Sequence, residues 1–190
     1  MKKFILFVVL VSIYAISFGQ LTDKEVIFEN NSFSQVFETT VPPATQYLNA
    51  KQWIAKTFGS YKAVVQFEDG SAYKIILKGK AIEPNDGEIT ETTWYQDKVT
   101  YSFTMTIDIK KGKYRIKIED VTASIETKAI PKDNPMTNPI LSNDEMTLEE
   151  YINWNKRSSK YAFLREMHFK QKVVPMLNSL VKDINTVDDF

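Results

Sequence analysis

From Val99 to Ile109 every second residue is apolar: Val99, Tyr101, Phe103, Met105, Ile107 and Ile109 alternate with Thr100, Ser102, Thr104, Thr106 and Asp108. A period of two over this length predicts a long strand with one dry and one wet face. Lys110-Lys111-Gly112-Lys113 makes the turn, and Tyr114, Ile116 and Ile118 return inward opposite Arg115, Lys117 and Glu119. The parity then slips by one residue, and the inward set continues as Val121, Ala123 and Ile125. A β-bulge near Glu119-Asp120 accounts for that slip.

Weaker signals surround this ribbon. Phe33 to Val41 is rich in β-formers and ends at Pro42-Pro43, which predicts a first strand. Ala44 to Phe58 has helical spacing, with Tyr47, Ala50, Ile54 and Phe58 on one face and Gly59 as the stop. Ala63 to Glu68 and Tyr73 to Ile82 flank Asp69-Gly70, a two-residue hairpin signal. In the return strand Gly79 falls on the inward parity, where a missing side chain admits another backbone or a bulky ring. The aromatics Tyr47, Phe58, Phe67, Tyr101, Phe103 and Tyr114 all read as inward. Pro131, Pro135 and Pro139 mark 128–146 as an irregular loop. Thr147-Leu148-Glu149-Glu150 is a capping box that opens a helix carrying Tyr151, Ile152, Trp154, Phe163 and Met167, which Pro175 is expected to kink or split. The order β-α-β-β-β-β-α gives an α+β two-layer sandwich: a five-stranded antiparallel sheet with helices on one face.

The N-terminus reads as an address. Lys2 and Lys3, an apolar run from Phe4 to Ile16, and Ser17-Phe18-Gly19 form a signal peptide with cleavage after Gly19. The run is shorter than the ~20 apolar residues that span a bilayer. The segments are therefore a leader at 1–19, an N-terminal segment at 20–31, a core at 32–127, a proline-containing loop at 128–146, C-terminal helices at 147–185 and a tail at 186–190. The chain has 24 basic and 24 acidic residues. Losing Lys2 and Lys3 leaves no positive excess to release counterions from nucleic acid. With no cysteine, thiol chemistry, disulfides and a lipoprotein anchor are excluded. The expected product is exported, periplasmic or secreted, and has no membrane anchor.

The strand Phe33–Val41, Gln52-Trp53-Ile54-Ala55, Ala63-Val64-Val65-Gln66-Phe67-Glu68-Asp69, Lys78-Gly79-Lys80, and Lys113-Tyr114-Arg115-Ile116 before Asp120-Val121 together resemble the DUF4468 family of exported Bacteroidota proteins. The resemblance covers about half the chain, from Ser32 to Ile125, and a last helix. It implies a TBP-like fold, with a curved antiparallel sheet and helices on its convex side. It brings no activity, ligand or catalytic residues.

Candidate chemistry is sparse. His168 is the single histidine, read as an exposed helical residue. A histidine metal site usually needs further ligands, and no Gly-x-Ser-x-Gly elbow accompanies it. Glu83, Asn85, Asp86 and Glu88 flank Gly87 without the spacing of a calcium loop. No catalytic residue, metal or cofactor is implied. The best candidate for function is the wet sheet face, with Lys78, Thr104, Arg115 and Lys117 as its binding residues. True TBP bends DNA with apolar wedges; here that face is rich in threonine and lysine. The expected function is a non-enzymatic binding or interaction module that uses the open face, an edge strand or the loop to hold an envelope protein, a peptide or a glycan. The alternatives are a hydrolase using carboxylates and a structural envelope-assembly protein.

Overall fold

The structure is a computed structural model and describes residues 20–23, 25–29, 31–85, 93–131, 140–154 and 159–187. The leader read at 1–19 and the loop around Gly87 lie outside them. Among the described residues, six strands form one antiparallel sheet in the order β1-β5-β4-β3-β2, with β6 beside β5. They are β1 (Phe33–Glu38), β2 (Val65–Asp69), β3 (Lys74–Asn85), β4 (Thr93–Lys110), β5 (Lys113–Pro131) and β6 (Ile140–Thr147). The helices are α1 (Pro43–Phe58), α2 (Tyr61–Val64), α3 (Leu148–Asn153) and α4 (Ser159–Ile184). Helices α1 and α4 pack on one face of the sheet, so the α+β layering follows the sequence reading.

The long ribbon forms as its alternation requires. Tyr101, Met105, Ile107, Ile116 and Ile118 of β4 and β5 are fully buried. They meet Trp53 and Ile54 of α1 and Val173 and Leu177 of α4 in one core. Gly112 takes φ 81° at the turn, a left-handed position suited to glycine. The parity slip is a bulge: Ser102 pairs with Thr122 but Thr104 with Glu119, and Asp120 takes φ 54°. The extra residue on β5 restores the apolar set to the dry side.

The sheet has six strands where five were expected. Strand β5 runs on to Pro131, and β6 pairs with Thr122–Ala129, so the segment read as a loop at 128–146 supplies part of the sheet. Phe67, read as inward, is 48% exposed. A register shift between Val65 and Phe67 turns its ring to the wet side. The hairpin after β2 has four residues between Asp69 and Lys74. Tyr73 sits in that turn at φ 49° instead of starting the return strand. Phe163, read as a residue of the helix after Thr147, is 65% exposed.

The capping box at Thr147 is present: Glu150 N–H donates to Thr147 Oγ1 at 3.2 Å and Thr147 N–H to Glu150 Oε2 at 2.8 Å. Its helix ends at Asn153, short of the expected span. Pro175 does not divide α4, which is continuous from Ser159 to Ile184. Pro175 and Gln171 are exposed, so water can take the carbonyl that proline leaves without a donor. No helix among the described residues is long and apolar enough to cross a membrane.

Residues 20–29 are more than an extension. Leu21 and Val26 are buried in the core, and Asn178 of α4 brackets the Leu21 backbone, accepting from its N–H at 2.7 Å and donating to its carbonyl at 2.9 Å. One buried position is incompatible with its side chain. Gln46 of α1 is fully buried, and neither amide atom has a hydrogen-bond partner among the described residues. Burying an unpaired amide is costly, whereas an apolar group of the same shape is not. Gln46→Met is therefore expected to raise stability by about 1 kcal/mol, read in urea as a higher midpoint at unchanged slope.

Candidate functional site

The wet face is built across β1, β5, β4 and β3. Lys78 lies opposite Thr104 and Lys80 opposite Ser102; Thr104 faces Glu119, Thr106 faces Lys117 and Asp108 faces Arg115. Two of the four residues read as binding groups are engaged by neighbours. The Arg115 Nε donates to Asp108 Oδ2 at 3.1 Å, and Lys74 reaches the same carboxylate at 3.7 Å. Lys117 pairs with Glu119. Thr106 is buried between Ile76 and Lys117. Lys78 and Lys80 differ: neither has a hydrogen bond or ion pair among the described residues.

Those two lysines border a depression of about 280 Å³ lined also by Ser102, Thr104, Asp120 and Thr122. The bulge at Asp120 borders it on the β4–β5 side. On the dry side of the sheet at the same place, Gly79 lets the Phe103 ring press against β3: a Cβ there would stand 2.5 Å from the ring and 3.1 Å from Phe58. The four expected residues therefore do not form one site. Lys78 and Thr104 share this depression, while Arg115 borders a second one of about 270 Å³ with Val36, Asp108, Lys110 and Lys113. Lys80 and Ser102 fall on the wet face read from parity, whereas Asp120 and Thr122 are not legible as part of it, although the parity slip marks the place.

All of the lining falls within residues 33–124, the span that matches the family described as a domain of unknown function with TBP-like fold, DUF4468. That match spans 92 of the 190 residues, just under half of the chain. Two solved structures share its fold. A TBP-like protein from Parabacteroides distasonis has 13% identity and a TM-score of 0.57, covering 86% of this chain and 99% of its own. A DUF4468 family protein from Bacteroides ovatus has 14% identity and a TM-score of 0.54, covering 87% of this chain and 93% of its own. At these identities the likeness is one of fold alone. No curated protein matches the chain.

Two further polar clusters brace the fold. At the β2 edge, Glu68 accepts from Lys51 Nζ at 2.7 Å, Tyr47 at 2.6 Å and Tyr61 at 2.8 Å. The hydrogen bonds from Lys51 and then Tyr47 bring its carboxyl down to about 2. Lys51 also lies over both tyrosine rings. This ties α1 and α2 to the sheet.

The second cluster joins β3, β4 and α4. Glu83, read as part of a loop, is a buried residue of β3. Tyr101 donates its hydroxyl to Glu83 Oε2 at 3.1 Å, and His168 Nδ1 stands 3.2 Å from Oε1. Burial, with Tyr151 and Glu83 adding to it, pushes the Tyr101 hydroxyl up. His168 is thus half-buried against a carboxylate, not an exposed helical residue, because α4 turns this face onto β3. No cluster of three or more potential metal ligands occurs among the described residues.

Proposed function

We propose that this protein is a non-enzymatic binding module of the cell envelope whose working surface is the depression at Gly79. The observation that carries this reading is the pair of uncommitted lysines, Lys78 and Lys80, at a preformed hollow on a face where Arg115 and Lys74 already share Asp108 and Lys117 pairs with Glu119. An unpaired ammonium group at a concave spot can engage a ligand without first breaking an internal pair. The lining hydroxyls of Ser102, Thr104 and Thr122 add hydrogen-bonding capacity. The one lining ring, Phe103, is buried and offers no platform for a sugar. Exposed Ile82 and Phe67 border the same face. Carboxylates beside apolar side chains match this surface, so the favoured ligand is an acidic, partly apolar peptide segment of an envelope protein. The signal-peptide pattern supports export to that compartment.

A direct test uses a synthetic peptide alternating glutamate and leucine, titrated by calorimetry at low salt. The expected result is binding that weakens at least tenfold in Lys78→Glu/Lys80→Glu and little in Lys110→Glu/Lys111→Glu. Equal affinities for the two double variants would reject the site.

A further inference from the structure

Most edges of this sheet carry several features that discourage pairing with another chain, whereas β1 carries a single charge, Glu38 at its end. Edge strands present unpaired backbone groups, and proteins blunt them with charge, lysine, irregularity or a covering helix. On the β3 side, β2 is short and contains a register shift, β3 bears Lys74, Lys78 and Lys80, and α2 lies against β3. At β6 the exposed run is Asn143-Asp144-Glu145. Strand β1 reads Phe-Ser-Gln-Val-Phe-Glu, with no lysine, arginine or proline.

The β1 backbone shows which groups are free. Thr39 N–H donates to the Gly112 carbonyl at 3.0 Å, and the ladder continues in register through Phe37↔Tyr114, Gln35↔Ile116 and Phe33↔Ile118. These alternate residues turn their N–H and C=O groups toward β5. Ser34, Val36 and Glu38 therefore point theirs outward. Ser32, next in that series, is already closed by Glu29, with bonds of 2.9 Å in both directions. Val36 is 56% exposed.

We infer that β1 pairs with β1 of a second copy of this chain, antiparallel about a twofold axis at Val36. This register sets Val36 against the partner's Val36, and Ser34 against the partner's Glu38. Each such pair exchanges two backbone hydrogen bonds. The arrangement is self-complementary in charge, which a closed twofold interface requires. Lys117 lies beside Ser34 and Lys113 beside Glu38, so each glutamate of the seam has a lysine one strand away; Glu25 and Glu29 line the space beside Ser34 and are the like charges nearest the partner's Glu38. The partner's Glu38 completes a row running Lys117, Ser34, glutamate, lysine. Two exposed valines are removed from water together. The sheet becomes continuous through both copies, with both wet faces on one side. The interface is small, so association is expected to be weak and concentration-dependent.

Because the chain has no cysteine, a single introduced thiol reports one position cleanly. Directly opposed residues of a hydrogen-bonded pair lie about 5.5 Å apart between Cα atoms, within disulfide reach. Val36→Cys is expected to form a covalent dimer under mild oxidation, at least tenfold faster than Ile82→Cys, an exposed position on β3. Sedimentation of the unmodified chain is expected to show a mass rising toward the dimer up to millimolar concentration, and Val36→Lys to remain monomeric with an unchanged circular dichroism spectrum. A monomer at millimolar concentration overturns the pairing. So does a dimer that persists in Val36→Lys, or one that leaves Val36→Cys no faster than Ile82→Cys.

Discussion

Gly79→Ala is expected to destabilise the protein by about 2 kcal/mol, within the range for overpacked cores. The new methyl would meet the Phe103 ring at 2.5 Å. That ring is 3% exposed, and Phe58 already approaches the same position, so the ring has little room to retreat. A chain of this size should lose ~5 °C of melting temperature for such a change. Shrinking the obstacle should restore part of the loss: Gly79→Ala with Phe103→Leu is expected to be more stable than the sum of the two single effects, because the residues are in contact. Purely additive effects would show that Gly79 serves chain geometry and not the ring.

The second large effect concerns Glu83. The residue is 8% exposed, with Tyr101 and His168 as close partners of its carboxylate. Removing one partner from a buried charged acceptor costs roughly 1–3 kcal/mol. His168→Ala is expected to fall in that range by urea unfolding, and Tyr101→Phe near its lower end. Since both act on one carboxylate, a double-mutant cycle should give a coupling above ~0.5 kcal/mol. Replacing the pair by Glu83→Leu/His168→Leu should cost less than His168→Ala, because no unpaired charge remains. A loss below the error of the measurement for His168→Ala would mean that water already solvates Glu83.

What the sequence made legible follows from how local each signal is. The β4–β5 ribbon was readable because its alternation is long and regular, and the bulge because a parity slip leaves a visible trace in Val121, Ala123 and Ile125. The close approach at Gly79 was readable for the same reason: a glycine on the dry parity must be met by something. Phe67 was misplaced because a bulge inside a five-residue strand leaves too few residues to show the change of parity. Strand β6 was hidden because Asn143, Asp144 and Glu145 have low strand propensity and owe their conformation to the overhanging half of β5. His168 and Glu83 are 85 positions apart in the chain, so no local pattern could join them. The same holds for Leu21 and Asn178. Of the candidate site, Lys78 and Thr104 were found by face parity, while the distinction between engaged and free cations required the positions of Asp108 and Glu119.

The proposed binding surface requires the sheet to present Thr104 to solvent and Met105 to the helices. Single thiols in this cysteine-free chain measure that directly. Thr104→Cys and Met105→Cys would each be treated with a thiol reagent under native conditions and again in denaturant. The expected result is ready native labelling at the first position, and protection at the second that is lost only on unfolding. Native labelling at Met105→Cys with protection at Thr104→Cys would contradict the assignment of faces, and with it the site.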